Sequence, residues 1–381
     1  MPSISRFPWP TRIAASAALS GLCVLAVASA RAAEPAAGTA YVSNQNGEIS
    51  VIDLATMKVT GTVSPYGEEP RGIGVTADGK LLVVANRDGG RIAVIDRASG
   101  KLLRHVAIGA NPEFVRTRGH LAFVSFEPGS TGQAPPRAGG ASQGGAPHAE
   151  GGASAAKGEP KDDDDDADKP PAQVAVVDLD KGQVVRSIVG GRETEGIEFT
   201  ADGKHILVTN EADDNVSVHE IATGRRVQVI DTKSYGKRPR GVKRSPDGKS
   251  YVVTLEFANA FIVLDDRYNV VKTVKTGESP YGVSFNRAGD RLFVAAAKSK
   301  VLQVFDTKTW ELVKDVPTGN RCWHFSFTPD DRQILLACGR SDEVVVIDAV
   351  KLEPVARIAD KALPWGVVTY PKSMGSLDRP E

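Results

Sequence analysis

The stretch "YVSNQNGEISVIDLATMKVTGTV", residues 41–63, sets the reading of the whole chain. It holds three short runs rich in Val, Ile, Thr and Tyr, divided by turn residues, which is the pattern of strands joined by hairpins. The same unit returns as "LVVANRDGGRIAVIDRASGKLLRHV" from Leu82 and "ILVTNEADDNVSVHEIATGRRVQVI" from Ile206. It returns again as "YVVTLEFANAFIVLDDRYNVVKTV" from Tyr251, "LFVAAAKSKVLQVFDTKTWELVKDV" from Leu292 and "ILLACGRSDEVVVIDAVKLEPVARI" from Ile334. A further copy opens at Leu121 with "LAFVSFE" and resumes at Gln173 with "QVAVVDLDKGQVVRSI". A spacing of roughly forty residues lies in the range of propeller repeats.

After the third strand of each copy comes a Gly- or Pro-containing connection and a fourth strand, as in "RGIGVTADGK" and "RGVKRSPDGK". Asp-Gly at 78–79, 202–203 and 247–248 suits a tight hairpin, because Gly tolerates positive φ. Arg118-Gly119, Gly289-Asp290 and Asp330-Asp331 stand in its place elsewhere. Seven units of four strands predict an all-β, seven-bladed propeller spanning 40–371. The chain begins with three strands of a blade and ends with the missing one, "PWGVVTY" at 364–370. That strand is expected to pair beside the first three and close the ring.

The chain has 381 residues, 41% of them hydrophobic, with 47 basic and 47 acidic side chains. Arg6 and Arg12 precede an apolar run and the small-residue site Ala30-Arg31-Ala32, which reads as a secretory signal over 1–32. The run is too short and Ala-rich for a membrane span, so a periplasmic protein without membrane insertion is expected. Removing that segment leaves 44 basic against 47 acidic side chains, which argues against a nucleic-acid partner. A monomer is expected. No C-x-x-C-H occurs, which excludes covalently attached c-type haem.

Residues 128–171 interrupt the third copy with Gly, Ala, Pro and acid. Such a segment cannot bury enough apolar area to order itself. The run Asp162 to Asp166 reads as a solvated, self-repelling linker, because calcium loops need spaced ligands and a turn glycine. The insert falls between the second and third strands of its blade, on the face where blades connect. Residues 372–381 read as a C-terminal tail.

Function must be argued from a site. Aligning the copies on their hairpins gives one equivalent position per blade at the start of the innermost strand: Arg71, Glu113, Glu195, Arg240, Tyr281, Trp323 and Trp365. The next position is Gly in five copies, with Phe114 and His324 as exceptions. Glycine there allows close packing at the narrow end of the strand, or close approach of a ligand. With His324, these seven form the candidate ligand-binding mouth. Arg could clamp a carboxylate, and the aromatics offer a platform for a polar molecule. Arg71 with Glu113, and Glu195 with Arg240, would also satisfy one another across neighbouring blades with nothing bound.

Cys322 occupies a position that is Pro70, Pro112, Pro239, Pro280 and Pro364 in other copies, so it is a variant of a structural position rather than a nucleophile. The hairpin register sets Cys322 opposite Cys338. Facing cross-strand positions approach disulfide distance, and export favours oxidation. A disulfide and a reduced, packed pair both remain open. His324 has no acid partner evident from spacing and reads as a core or lining histidine. The recurrent Asp53, Asp96, Asp178, Asp265, Asp306 and Asp348 end strands and cap turns. No metal set and no catalytic set emerges, and no cofactor is implied.

The repeats "YVSN…VIDLAT…PRGI…TADGK" resemble the YVTN-repeat β-propeller family across nearly all of the chain after the signal. The end, "CWHFSFTPDDRQILLACGRSDEVVVIDAVKLEPVARI…PWGVVTYPKSMGSLDRP", is similar to exported propellers associated with pyrroloquinoline-quinone-dependent alcohol catabolism. The resemblance implies a non-catalytic propeller that binds a partner protein or small molecule and assists periplasmic alcohol oxidation. The alternatives are a lactonase-like hydrolase at the channel mouth, and a haem- or nucleic-acid-binding propeller.

Overall fold

The computed structural model describes residues 37–127, 170–360 and 362–380. The signal segment and the 128–169 part of the insert lie outside them. Among the described residues twenty-eight strands form seven four-stranded antiparallel sheets, each a blade. Blade one combines β28 (Pro364–Tyr370) with β1 (Thr39–Asn44), β2 (Ile49–Asp53) and β3 (Lys58–Val63), in that order from the channel outward. The other six blades run in simple chain order. Their innermost strands are Glu68–Val75, Val115–Arg118, Thr194–Phe199, Pro239–Arg244, Pro280–Phe285 and Cys322–Phe327. The ring therefore closes as the repeat phase required: β28 pairs with β1 from Thr39↔Tyr370 to Asn44↔Pro364.

The repeated residues explain the repeated turns. Asp53 accepts the Thr56 N–H at 2.8 Å, Asp96 that of Ser99 at 2.8 Å and Asp306 that of Lys308 at 2.9 Å. These carboxylates hold third-to-fourth-strand turns and reach no channel. In the inner hairpins, Thr76, Thr200, Ser245 and Thr328 donate to Asp78, Asp202, Asp247 and Asp330 respectively. Gly79, Gly203 and Gly248 then take φ near +70° (69°, 67° and 75°), as the Asp-Gly pairs predicted.

Blades pack face to face through alternate apolar residues. Edge-on aromatic pairs cross the seams: Phe123–Phe199 at 4.9 Å, Phe261–Phe305 at 5.1 Å and Phe293–Phe327 at 5.1 Å between centroids. Such pairs contribute about 0.5–1.5 kcal/mol each beyond their buried area.

The segment after β28 enters the channel. Residues 373–378 are buried. Gly375 bridges to Ser326, Arg116 donates to the Leu377 carbonyl at 2.8 Å, and Lys243 donates to the Asp378 carbonyl at 3.1 Å. Arg116 also grips Glu198 with two bonds of 2.9 and 3.1 Å. Burial alone would raise Glu198, but Arg116 and Lys243 outweigh it and hold the carboxyl at about 2. The tail and this salt-bridged tier make a floor, so the channel is a pocket rather than a tunnel.

Ending the chain after Leu363 would strip β1 of its inner partner and empty the floor. The truncated protein is expected to lose its single cooperative melting transition, measured by scanning calorimetry. A transition as sharp and as high as that of the full chain would refute closure by β28.

Candidate functional site at the channel mouth

The mouth is built by a backbone device repeated in every blade. Two residues before each ring position, the chain takes a left-handed conformation: Glu69, Asn111, Glu193, Arg238, Ser279, Arg321 and Leu363 have φ between 47° and 61°. This conformation is disfavoured for residues with a Cβ, so seven recurrences mark it as a property of the blade and not of one site. The inner strand then bulges. In blade five, Arg240 and Gly241 together oppose the single residue Thr254, between the pairs Pro239↔Leu255 and Val242↔Val253. The extra residue re-aims the ring side chain, and each ring side chain lines the cavity.

The glycines that follow face the next blade. A Cβ on Gly196 would lie 2.5 Å from the Arg240 carbonyl oxygen, and one on Gly241 2.6 Å from that of Tyr281. Gly72 and Gly282 meet the Glu113 and Trp323 carbonyls in the same way. The choice left open by the sequence is thus decided in favour of packing between blades. A hydroxyl completes the seam. Thr254 Oγ1 accepts the Gly241 N–H at 2.9 Å and donates to the Tyr281 carbonyl at 2.9 Å. Thr209 does the same between Gly196 and Arg240, at 2.7 and 2.6 Å.

The cavity measures about 620 Å³, within the range of small-molecule sites. All seven ring residues line it: Arg71, Glu113, Glu195, Arg240, Tyr281, Trp323 and Trp365. His324, placed at the mouth by the sequence reading, sits beneath it. Its ring packs edge-on against Trp365 at 4.4 Å and Tyr281 at 5.3 Å, and its Nδ1 lies 3.0 Å from the Ser376 hydroxyl of the tail. Burial, with Arg240 and Lys243 nearby, lowers it to about 3. It is a neutral part of the floor. Cys322 and Cys338 form a disulfide, tying together the strand ends that carry Trp323 and Gly339.

Both ring ion pairs form. Arg71 bonds Glu113, and Arg240 Nη1 lies 2.8 Å from Glu195 Oε1. Arg240 is held on further sides by Glu211 at 3.0 Å, Glu256 at 2.5 Å and the Tyr281 hydroxyl at 2.6 Å, with its guanidinium carbon 4.4 Å from the centre of the Tyr281 ring. Arg238 bonds Glu211 at 2.9 Å. Sequence reasoning missed this second tier. Glu127, Glu211 and Glu256 directly follow the second strand of their blades, Arg87 lies at the end of its own, and Glu193, Arg238 and Arg321 occupy the left-handed position. Each set recurs at a fixed offset, so a repeat alignment extended past the ring would have found them.

The carboxyl groups divide by environment. Burial and the Glu113 charge raise Glu195 to about 8, against the pull of Arg240. Burial and the Glu195 charge also lift Glu211 well above the carboxylate range, despite Arg240. Burial works on Glu113 too, but Arg71 and Arg87 outweigh it and keep that group ionised. Glu113 and Glu195 hydrogen-bond one another. They form a pair that holds one proton at neutral pH, with the proton on Glu195. Among the described residues no group of three or more His, Cys, Asp or Glu could hold a metal ion, and no helix is long and apolar enough to cross a membrane.

Fold and site together define a closed seven-bladed β-propeller with a charged, ligand-sized cavity at one end of its channel. A family model described as a YNCE-like beta-propeller matches residues 24–122. No curated protein matches the sequence. Among solved structures, the periplasmic gluconolactonase of Pseudomonas aeruginosa is 17% identical, with a TM-score of 0.65 over 87% of this chain and 98% of that one. A candidate 6-phosphogluconolactonase from Bacteroides uniformis is 16% identical, with a TM-score of 0.65 over 87% of this chain and 99% of that one. The Kuenenia stuttgartiensis hydrazine synthase is 21% identical, with a TM-score of 0.63 over 83% and 95%. At these identities the likeness is one of fold. The expectation of a non-catalytic accessory to quinone-dependent alcohol oxidation is nevertheless corrected by these neighbours, which include lactonases. The link to alcohol catabolism rested on a local resemblance at the chain's end.

Two outcomes test the site's physics. Thr254→Val strands the Gly241 N–H and the Tyr281 carbonyl and is expected to cost about 1–3 kcal/mol, read from denaturant unfolding; a change near zero would remove the hydroxyl from the seam. Glu195 holds a proton in the folded state up to about pH 8 that the unfolded chain releases near its ordinary value of 4.5. Its contribution therefore falls as pH rises from about 5 to 8. Glu195→Gln is expected to flatten the decline in melting temperature over that window, and an unchanged slope would mean that Glu195 titrates normally.

Proposed function

We propose that the channel mouth hydrolyses a sugar lactone, in the periplasm. The observation that carries this reading is the Glu113–Glu195 pair: two carboxyl groups in contact, one ionised and one protonated, between Arg71 and Arg240. Environments that push two titratable groups apart assign an acid and a base. The lactonase activities in the names of two structural neighbours support the same chemistry. The periplasmic setting is supported by the basic, apolar and small-residue order of residues 1–32 and by the compartment of one neighbour.

In this mechanism Trp323 and Trp365 give the sugar ring an apolar face, and the surrounding carboxylates and guanidiniums bond its hydroxyls. The Glu113 carboxylate takes a proton from water as the water oxygen bonds to the lactone carbonyl carbon. The guanidinium of Arg71 or Arg240 stabilises the oxyanion that develops. The ring C–O bond then breaks and the departing oxygen takes the Glu195 proton. The product is the open-chain aldonic acid. The pair regains its starting state by passing its proton from Glu113 to Glu195, and no metal, oxidant or covalent intermediate is required.

The test is hydrolysis of glucono-1,5-lactone in weak buffer, followed as acid release above the spontaneous rate. The rate is expected to fall as pH rises through about 8, where Glu195 loses its proton. Glu195→Gln removes the acid and is expected to lower kcat by 10²–10⁴-fold, the usual contribution of a general acid, with the fold intact. A spontaneous rate unchanged by the protein across several aldonolactones would refute the proposal.

A further inference from the structure

The cavity arginines fall into two groups. Arg71, Arg87, Arg238 and Arg240 each lie within 4.0 Å of a carboxylate oxygen. Arg321 and Arg340, both on blade seven, line the same cavity but have no carboxylate at that distance among the described residues. Arg321 acts on Glu256 only through space, and its buried Nε lacks a hydrogen-bond acceptor. The two are held in place by their neighbours. Arg321 occupies the left-handed position next to Cys322, and Arg340 follows Gly339, next to Cys338, so the Cys322–Cys338 disulfide anchors both. The Trp323 ring lies against the Cα of Gly339, where a Cβ would collide with it.

We infer that Arg321 and Arg340 form a subsite for an anionic group, so that the ligand of the mouth is a sugar acid derivative bearing a phosphate or carboxylate at the end away from the reacting carbonyl. Guanidiniums suit both anions, because their paired N–H groups match two oxygens. Blade order sets the span. The Glu113–Glu195 pair belongs to blades three and four, across the ring from blade seven, with the Trp323 platform on the side of the arginines. A ligand lying across the opening therefore meets the proton-sharing pair at one end and the unpaired guanidiniums at the other. The overall field agrees. Among the described residues six Arg and six Glu line the cavity, and the proton on Glu195 leaves an excess of positive charge at neutral pH. Such a mouth draws anions in.

The inference rests on the sugar-lactone reading for the identity of the ligand, but its test needs no turnover. Binding of gluconate, 6-phosphogluconate and glucarate to the intact protein would be compared by calorimetry at fixed salt. At least one of the two doubly anionic probes is expected to bind tenfold or more tightly than gluconate. A preference for 6-phosphogluconate identifies phosphate as the group read, and a preference for glucarate identifies carboxylate. Arg321→Ala with Arg340→Ala is expected to abolish that preference, lowering the affinity of the favoured probe tenfold or more toward that of gluconate; the milder Arg321→Gln with Arg340→Gln serves if the first pair fails to fold. Equal affinity for the three probes, no binding of any, or a preference that survives both double variants would overturn the subsite. A preference without lactone hydrolysis would keep the subsite and remove the hydrolase.

Discussion

The structure depends on the close approach of backbone between neighbouring blades at the channel mouth. In six blades the pairing of the inner strand shifts register at the mouth, and where a glycine follows the ring residue it lies against a carbonyl of the blade beside it. Only glycine fits where that approach is closest, as at Gly196 against Arg240 and Gly241 against Tyr281. A buried peptide group without a partner costs about as much as a lost hydrogen bond. The Thr209 and Thr254 hydroxyls meet that demand by serving two blades at once. The same contact fixes the ring carbonyl and hence the direction of the ring side chain, so stability of the seam and placement of the site are one constraint.

The mouth concentrates charge that a folded protein would otherwise keep in water. Burial is tolerable because the charges are shared: Arg240 meets Glu195, Glu211, Glu256 and Tyr281 together. Sharing has a consequence for protonation. Several carboxylates crowd around fewer guanidiniums on blades three to five, and not all can ionise. Glu113, closest to Arg71, keeps its charge, while Glu195 keeps a proton and Glu211 is pushed well above the carboxylate range. A pre-set proton beside an ionised carboxylate is what acid–base chemistry needs, and it arises here from crowding of like charges rather than from a histidine. His324, the residue that its side chain alone would nominate, is neutral and part of the floor.

The floor separates this propeller from an open ring. The tail after β28 does not leave the molecule but turns into the channel, where Ser376 bonds the backbone N–H of Phe325 at 2.9 Å and faces His324. Ring closure and channel closure are therefore made by one continuous stretch of chain.

The sequence by itself determined the blade count, the phase of closure by "PWGVVTY", the Asp-Gly hairpins, the facing of Cys322 and Cys338, and one ring residue per blade. Each of these follows from a local rule repeated seven times: strand period, turn chemistry, and equal offsets from a hairpin. What only the tertiary structure decided is what those offsets bring together. The Glu113–Glu195 proton, the crowding of Arg240, the descent of His324 below the mouth, the disulfide's closure and the burial of the tail depend on angles between blades and on distances across the ring. Residues some forty apart in the chain meet there, and a repeat pattern specifies that they share a position without specifying how far their side chains reach or which of them keeps its charge.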